Sequence, residues 1–218
     1  MSDTANARQH MIDGQLRPNE VNDERIIEAI EAVKREKFVP KTLSGVAYLD
    51  SDIQVAPGRC LMSPMVFARL VDTAAVKKTD LVLDVGCATG YSSAVLGQLA
   101  EAVVALEEDD KLVQSAIKIL ADQECDNVAV VTGPLMDGLA AQGPYDLIFI
   151  NGMIDQLPPQ LIDQMAEGGR LICVLNDNGV GKATYVTHEN GLIGKRILFD
   201  AYIPVFEAFN KKPGFLFK

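Results

Sequence analysis

Residues 80–93, DLVLDVGCATGYSS, constrain this chain more than any other stretch. Leu81-Val82-Leu83 is an apolar run of the kind that forms a strand buried on both faces. The turn that follows, from Asp84 to Gly90, carries small residues at Gly86, Ala88 and Gly90. From Tyr91 to Leu99 the spacing turns helical, with Val95, Leu96 and Leu99 on one face. Strand, small-residue turn and helix together make a nucleotide-binding device. The small residues admit a ligand close to the backbone, and the helix start offers free N–H groups. An ordinary tight β–α turn uses the same residue types.

The dinucleotide fingerprint G-x-G-x-x-G seats a pyrophosphate on the helix start. Here the pattern is D-x-G-x-x-x-G, with Asp84 two positions before Gly86. That pattern resembles the first motif of Rossmann-like S-adenosylmethionine-dependent methyltransferases. A ligand carrying sulfonium and ammonium charges favours a nearby carboxylate, which would repel a pyrophosphate. Such enzymes usually have glycine where Ala88 stands, and a methyl group there requires negative φ.

Composition narrows the alternatives. The 218 residues suit one large α/β domain or a domain with an N-terminal extension. We expect residues 1–62 to form a helical extension and active-site loop. Residues 63–218 then form the main domain, the whole packing as one unit. A net charge of −10 argues against a general nucleic-acid binder. No membrane span or signal-peptide core is evident, so a cytoplasmic location is expected. Cys60, Cys87, Cys125 and Cys173 lack C-x-x-C pairing and read as reduced core thiols. With only His10 and His188, neither a metal cluster nor a histidine triad is expected.

In chain order, residues 5–20 predict a short helix ended by Gly14 and the Arg17-Pro18 turn. Asn22 is the expected N-cap of a helix through Arg35, carrying Ile26, Ile27, Ile30 and Val33 inward beside the ligand cleft. Residues 41–62 are irregular, with a short strand at 52–55. Ser63-Pro64 opens a helix, the serine as cap. Strands at 102–106, 127–131, 145–150 and 170–175 alternate with helices at 109–121 and 158–166. In the first of these helices, Leu112, Ile117 and Leu120 point inward. That alternation implies a mostly parallel sheet with helices on both faces. Strands at 182–187 and 195–206 flank Asn190-Gly191, a hairpin signal, and the terminal GFLF reads as a strand or docked tail.

Several anchors then fall in one order: residues 22–25 leading to Phe38-Val39-Pro40, Ala47-Tyr48-x-Asp50, the Gly58 turn, VLDVGCATGYSSAVL, Pro144 to Ile148 and Glu167 to Leu171. Over roughly residues 8–175 the chain resembles protein-L-isoaspartate (D-aspartate) O-methyltransferases. The resemblance implies a Rossmann-like methyltransferase fold, S-adenosyl-L-methionine as cofactor, and an isoaspartyl peptide or protein as substrate. Its departures concentrate in the loop Gly58-Arg59-Cys60-Leu61-Met62-Ser63-Pro64. There Cys60 and Met62 occupy the family's threonine and serine positions, and Ser63 stands one residue late. Gly133-Pro134-Leu135 also replaces a Gly-Asp-Gly that would bring a carboxylate to the adenine edge, and the C-terminal fifth lacks the family's ending.

Expected roles follow for single residues. Asp84 orients the methionine amino group, directly or through water, or caps its turn. Gly86, Ala88 and Gly90 give backbone access. Glu107, about 20 residues past the turn, accepts the ribose hydroxyls. Leu135 covers the adenine, and Asn151 faces the crevice at a strand end. Gly58, Cys60, Leu61 and Met62 form the substrate loop, with Ser63 either a helix cap or a substrate-contacting hydroxyl. A carboxylate acceptor needs no general base, consistent with the lack of an acid–base dyad. Three readings stay open: an isoaspartyl repair enzyme, a relative with another acceptor, and a cofactor-binding module without turnover. A monomer or weak dimer is expected.

Overall fold

The computed structural model describes residues 3–209; the terminal GFLF lies outside the described residues. The chain opens with α1 (Asp3–Met11), which continues without a break into a π-helical turn at Ile12–Leu16 and a 3-10 turn at Arg17–Asn19. Gly14 therefore does not end the first helix, and neither does Pro18: helical backbone runs on to Asn19 and stops at Glu20, whose φ is 68°. Helix α2 spans Glu24–Ala32 and is capped by Asp23, one residue later than expected, its carboxylate accepting the Arg25 N–H at 2.9 Å. The helix stops before Arg35, which sits in a 3-10 turn instead.

A small hairpin, β1 (Ile53–Ala56) and β2 (Arg59–Leu61), lies apart from the main sheet and leads into α3 (Pro64–Ala74). The motif then forms β3 (Leu81–Val85) and α4 (Tyr91–Leu99), followed by β4 (Ala102–Glu107), α5 (Asp110–Asp122) and β5 (Val128–Thr132). Next come β6 (Tyr145–Ile154), the single turn α6 (Pro159–Ile162), β7 (Met165–Asp177), β8 (Val180–Glu189) and β9 (Leu192–Asp200). The expected helix at 158–166 is cut short because the chain already pairs with β6 from Met165. Ile117 is 45% exposed rather than inward. The buried stripe of α5 is Leu112, Val113, Ala116 and Leu120, and Ile117 sits one position round from it.

The main sheet has the order β5-β4-β3-β6-β7-β8-β9. Its first five strands run parallel, and β8 and β9 join antiparallel, so this is the mostly parallel fold expected. Strand alternation sorts the core into two layers. Val82, Val103, Leu147, Phe149 and Ile172 face a cluster that includes Met11, Ile27, Phe38 and Phe67 from the N-terminal helices. Leu83, Val104, Ile148, Ile150 and Leu171 face the other way, toward Leu135, Leu161, Phe206 and Phe209. The first cluster runs from Met11 to Ile203, with buried members on both sides of residue 62. No helix among the described residues is long and apolar enough to cross a membrane.

The strand order reverses direction at β3, which has β4 on one side and β6 on the other. In open α/β sheets the carboxyl ends of strands at such a reversal form the ligand crevice. One segment departs from expectation here. Strand β9 ends at Asp200, and residues 201–206 turn back instead of continuing to pair. Pro204 has no N–H to give to a ladder. The segment attaches to the end of β6, with Met153 donating to the Pro204 carbonyl at 3.1 Å and Phe206 to the Met153 carbonyl at 2.8 Å.

Candidate active site

The motif turn is tied to the neighbouring strand. Gly86 and Cys87 both donate to the Leu106 carbonyl, at 2.8 and 3.2 Å. Gly86 and Gly90 take φ of 73° and 92°, in the region where glycine is at ease. Ala88 takes φ of 51°, against the negative φ expected of it. In this left-handed geometry its N–H reaches the Glu107 carboxylate at 3.0 Å. A side chain there costs about 1–2 kcal/mol. Ala88→Gly should therefore stabilise the fold by up to about 1 kcal/mol, after the added unfolded-state freedom is subtracted, as read by urea unfolding. Thr89 completes the anchoring, its hydroxyl donating to the Phe38 carbonyl at 2.6 Å and holding the N-terminal Phe-Val-Pro piece against the turn.

Asp84 is fully buried. Its carboxylate accepts from Ser92 at 2.7 Å, from Ser93 and from the Asn151 amide. Asn151 lies within β6, which runs on to Ile154, rather than at its end; it lines the void, and its amide is engaged with Asp84 and, at 3.3 Å, the Val85 carbonyl. Asp84 locks the turn to the start of α4 and to β6, and its partners Ser92 and Asn151 line the adjoining void. Burial pushes its carboxyl up to about 6, against the three hydrogen bonds and with the Glu107 charge adding to the rise. In the unfolded chain the group titrates near 3.8. Stability from this group is full below about pH 4 and lost as pH rises through 6. Asp84→Asn should flatten that part of the stability profile. A wild-type-minus-variant difference constant from about pH 4 to 7 in denaturant titrations would contradict this.

Glu107 ends β4 beside the turn, and its side chain is fully buried. Besides the Ala88 N–H it accepts from the Glu108 and Asp109 backbones at 2.9 and 3.2 Å. Arg59 of β2 adds a fork: Nε lies 3.1 Å from both carboxylate oxygens, and Nη2 lies 3.1 Å from Oε1. The same Nη2 donates to Glu108 at 2.8 Å. The Phe206 ring lies 4.8 Å from the Arg59 guanidinium carbon, a cation–π contact. Leu135 is buried in the same layer as Phe206.

The loop expected to meet substrate is arranged around these groups. Gly58 forms the hairpin turn with φ of 69°. Cys60, Leu61 and Met62 line a void of about 10 Å³ with Gly86, Ala88, Tyr91 and Asn151. A second void of similar size is lined by Gly58, Cys60, Met62, Asn151 and Phe206. Ser63 lines neither, and its hydroxyl makes no capping bond. The helix start is served instead by Asp52, which accepts the Ser63 N–H at 2.7 Å, and by Asp50, which accepts that of Met65 at 3.3 Å. Carboxylates at a helix start also complement its dipole. All four cysteines are free thiols, and burial pushes Cys60 up to about 11, which leaves it a poor nucleophile at neutral pH. No group of His, Cys, Asp or Glu among the described residues is set to hold a metal.

Sequence reasoning did not single out Arg59, Phe206, Ser92, Ser93 or Arg35. The one readable hint was a bulky cation directly after Gly58, in a loop otherwise filled by small and apolar residues.

The family model for protein-L-isoaspartate(D-aspartate) O-methyltransferase (PCMT) matches residues 6–209. A protein-L-isoaspartate O-methyltransferase of Koribacter versatilis is 33% identical over 199 residues, covering 91% of this chain and 90% of that protein. One from Methanoculleus marisnigri is 33% identical over 165 residues, 76% of this chain and 75% of its own. A solved protein-L-isoaspartate O-methyltransferase superposes with a TM-score of 0.80 at 22% identity. The match covers 91% of this chain and 65% of that one, so this chain spans a little under two thirds of its length. A Plasmodium falciparum structure, described as a PCMT in complex with S-adenosyl-L-homocysteine, gives 0.78 at 19% identity over 95% of this chain and 100% of that one. The two structures speak for the fold. With the family model spanning residues 6–209 and a relative 33% identical over 91% of this chain, the protein belongs to the protein-L-isoaspartate (D-aspartate) O-methyltransferase family.

Proposed function

We propose that the chain is an S-adenosylmethionine-dependent O-methyltransferase that esterifies the free carboxylate of L-isoaspartyl residues in damaged proteins. One observation carries this reading: in a chain of this family, the buried Glu107 carboxylate ends the strand beside the Gly86-to-Gly90 turn, 3.0 Å from the Ala88 N–H. The groups fit an adenosyl ligand by type and place. Glu107 would hold the ribose hydroxyls, the turn backbone would flank the ligand, Leu135 would cover the adenine, and Asp84 would act through Ser92 and Asn151. Room is the point of misfit, since Arg59 and Phe206 stand over these groups and the remaining voids are about 10 Å³, enough for one water molecule.

When bound, the cofactor supplies a methyl group on a sulfonium. The chain's own residues then need only to orient the acceptor and exclude water. An isoaspartyl carboxylate is already ionised at neutral pH, so no base is required, and positioning can supply ~7–11 kcal/mol in ideal cases. Met62, Phe67 and Tyr91 give the void an apolar wall suited to desolvating the reactants. The partner is a protein or peptide carrying the damaged residue, met by a monomer or weak dimer in the cytoplasm. A net charge of −10 disfavours nucleic acid in that role.

The deciding assay follows transfer of a labelled methyl group from S-adenosylmethionine to an isoaspartyl peptide and to its aspartyl twin. Label on the isoaspartyl peptide alone supports the reading; equal label, or label on neither, opposes it. A second acceptor class is favoured by Met62 at the family's serine position, where its side chain walls both voids. If the isoaspartyl reading is right, Met62→Ser should raise kcat/KM for the isoaspartyl peptide severalfold. An unchanged value with intact cofactor binding would point to another acceptor.

A further inference from the structure

The cradle proposed for the cofactor is already filled by the protein itself. Arg59 places its guanidinium on both oxygens of Glu107, as a ribose diol would, and Phe206 lies beneath that guanidinium. The ring presses against two glycine backbones. A Cβ added to Gly86 would fall 2.5 Å from Phe206 Cε2, and one added to Gly152 would fall 2.6 Å from Phe206 Cγ. The close approach that a glycine turn offers a ligand is thus taken by a side chain of the same molecule.

Neither piece is a strand of the main sheet. Arg59 belongs to the two-stranded hairpin outside the main sheet. Phe206 belongs to the strap of residues 201–209, held on one side by the two hydrogen bonds to Met153 and by Ala201 donating to the Gly181 carbonyl at 2.9 Å. Phe206 and Phe209 stack at 6.1 Å, so the strap carries its own apolar contact with it. By contrast Gly86 is fixed by its N–H on the Leu106 carbonyl, Ala88 by its N–H on the Glu107 carboxylate, and Glu107 by the pairing of β4 with β5. Movement therefore falls to the strap and the hairpin.

We propose that Arg59 and Phe206 form a latch that competes with S-adenosylmethionine for the cradle between Gly86 and Glu107, so that the cofactor enters only as the strap lifts from β6. The inference rests on the cofactor reading above and adds its regulation. The apparent affinity equals the intrinsic one multiplied by the open fraction, so a latch closed 90–99% of the time weakens binding by about 10- to 100-fold. Anything that draws the strap away raises methyl transfer by the same factor.

The test is calorimetric binding of S-adenosylhomocysteine to the full-length wild type and to Phe206→Ala. The latch predicts at least tenfold tighter binding by Phe206→Ala. In the wild type it also predicts faster hydrogen exchange at the Met153 and Phe206 amides on adding S-adenosylhomocysteine, with Phe149 unchanged. That second measurement decides even if the variant folds poorly. Wild type binding as tightly as a folded Phe206→Ala, or slower exchange at those amides, overturns the latch and leaves the cofactor reading standing. No binding to either protein at millimolar ligand overturns both.

Discussion

Arg35→Ala should lower the unfolding free energy by about 3–5 kcal/mol, the largest stability loss expected of a single substitution outside the two sheet layers. The side chain is fully buried, yet none of its hydrogen bonds goes to a carboxylate. Its Nε donates to the Ala47 carbonyl at 2.7 Å and its Nη2 to the Met62 carbonyl at 2.7 Å. The guanidinium lies 4.7 Å from the Tyr91 ring centre, and Nη1 has no hydrogen-bond partner. Burial lowers its pKa, with Tyr91 acting the other way. Truncation leaves two buried carbonyls unpaired, at about 1–3 kcal/mol each, and a cavity beside Tyr91; relief from burying a charge offsets part of this. Because Met62 lines the void beside the motif turn, the loss should appear at the site as well as in the urea midpoint. A shift below about 1 kcal/mol would show that the charge costs as much as its two bonds return.

The second large effect concerns Glu107. In an Arg59→Ala, Phe206→Ala background, where neither half of the latch competes, Glu107→Ala should weaken S-adenosylhomocysteine binding by about 10- to 100-fold, or 1.5–3 kcal/mol for charge-assisted hydrogen bonds. That background matters because Glu107 has two roles. It anchors Arg59, so removing it alone frees the latch while deleting the ribose acceptor, and the two effects oppose each other. It also pairs the Ala88, Glu108 and Asp109 N–H groups, so a fall in stability should accompany the loss of affinity. Equal affinity with and without Glu107 would remove it from the ribose role.

Much of the fold was legible because it rests on local patterns. The apolar run at Leu81 to Leu83, its turn and the strands and helix between residues 102 and 132 formed where periodicity put them, while the helix expected at 158–166 and the strand expected at 195–206 came out shorter. The misplaced details have physical causes that pattern does not carry. Asp23 outcompeted Asn22 as cap because its carboxylate reaches the Arg25 N–H. Ser63 has cap chemistry, yet Asp50 and Asp52, brought in by the hairpin before it, supply the acceptors. Ala88 was expected at negative φ, but the Glu107 carboxylate holds its N–H in the left-handed turn.

The site was legible in part. Glu107 and the Gly86-to-Gly90 turn stand together as their spacing implied, because one parallel ladder, Val85 beside Leu106, sets both. The contacts of Arg59 with Glu107, 48 positions away, and of Phe206 with Gly86 are long-range, and no local pattern encodes them. The sequence placed a family departure in the loop after Gly58 and in the C-terminal fifth, whereas the family model runs on through residue 209, past Phe206.

If the cofactor binds in the cradle between Gly86 and Glu107, beneath Arg59 and Phe206, a crystal structure of the wild type with S-adenosylhomocysteine will show it. The ribose hydroxyls should lie on the Glu107 carboxylate, with Arg59 withdrawn from both its oxygens and the Phe206 ring off Gly86. Ligand bound elsewhere, with Arg59 still on Glu107 and Phe206 still against Gly86, would contradict it.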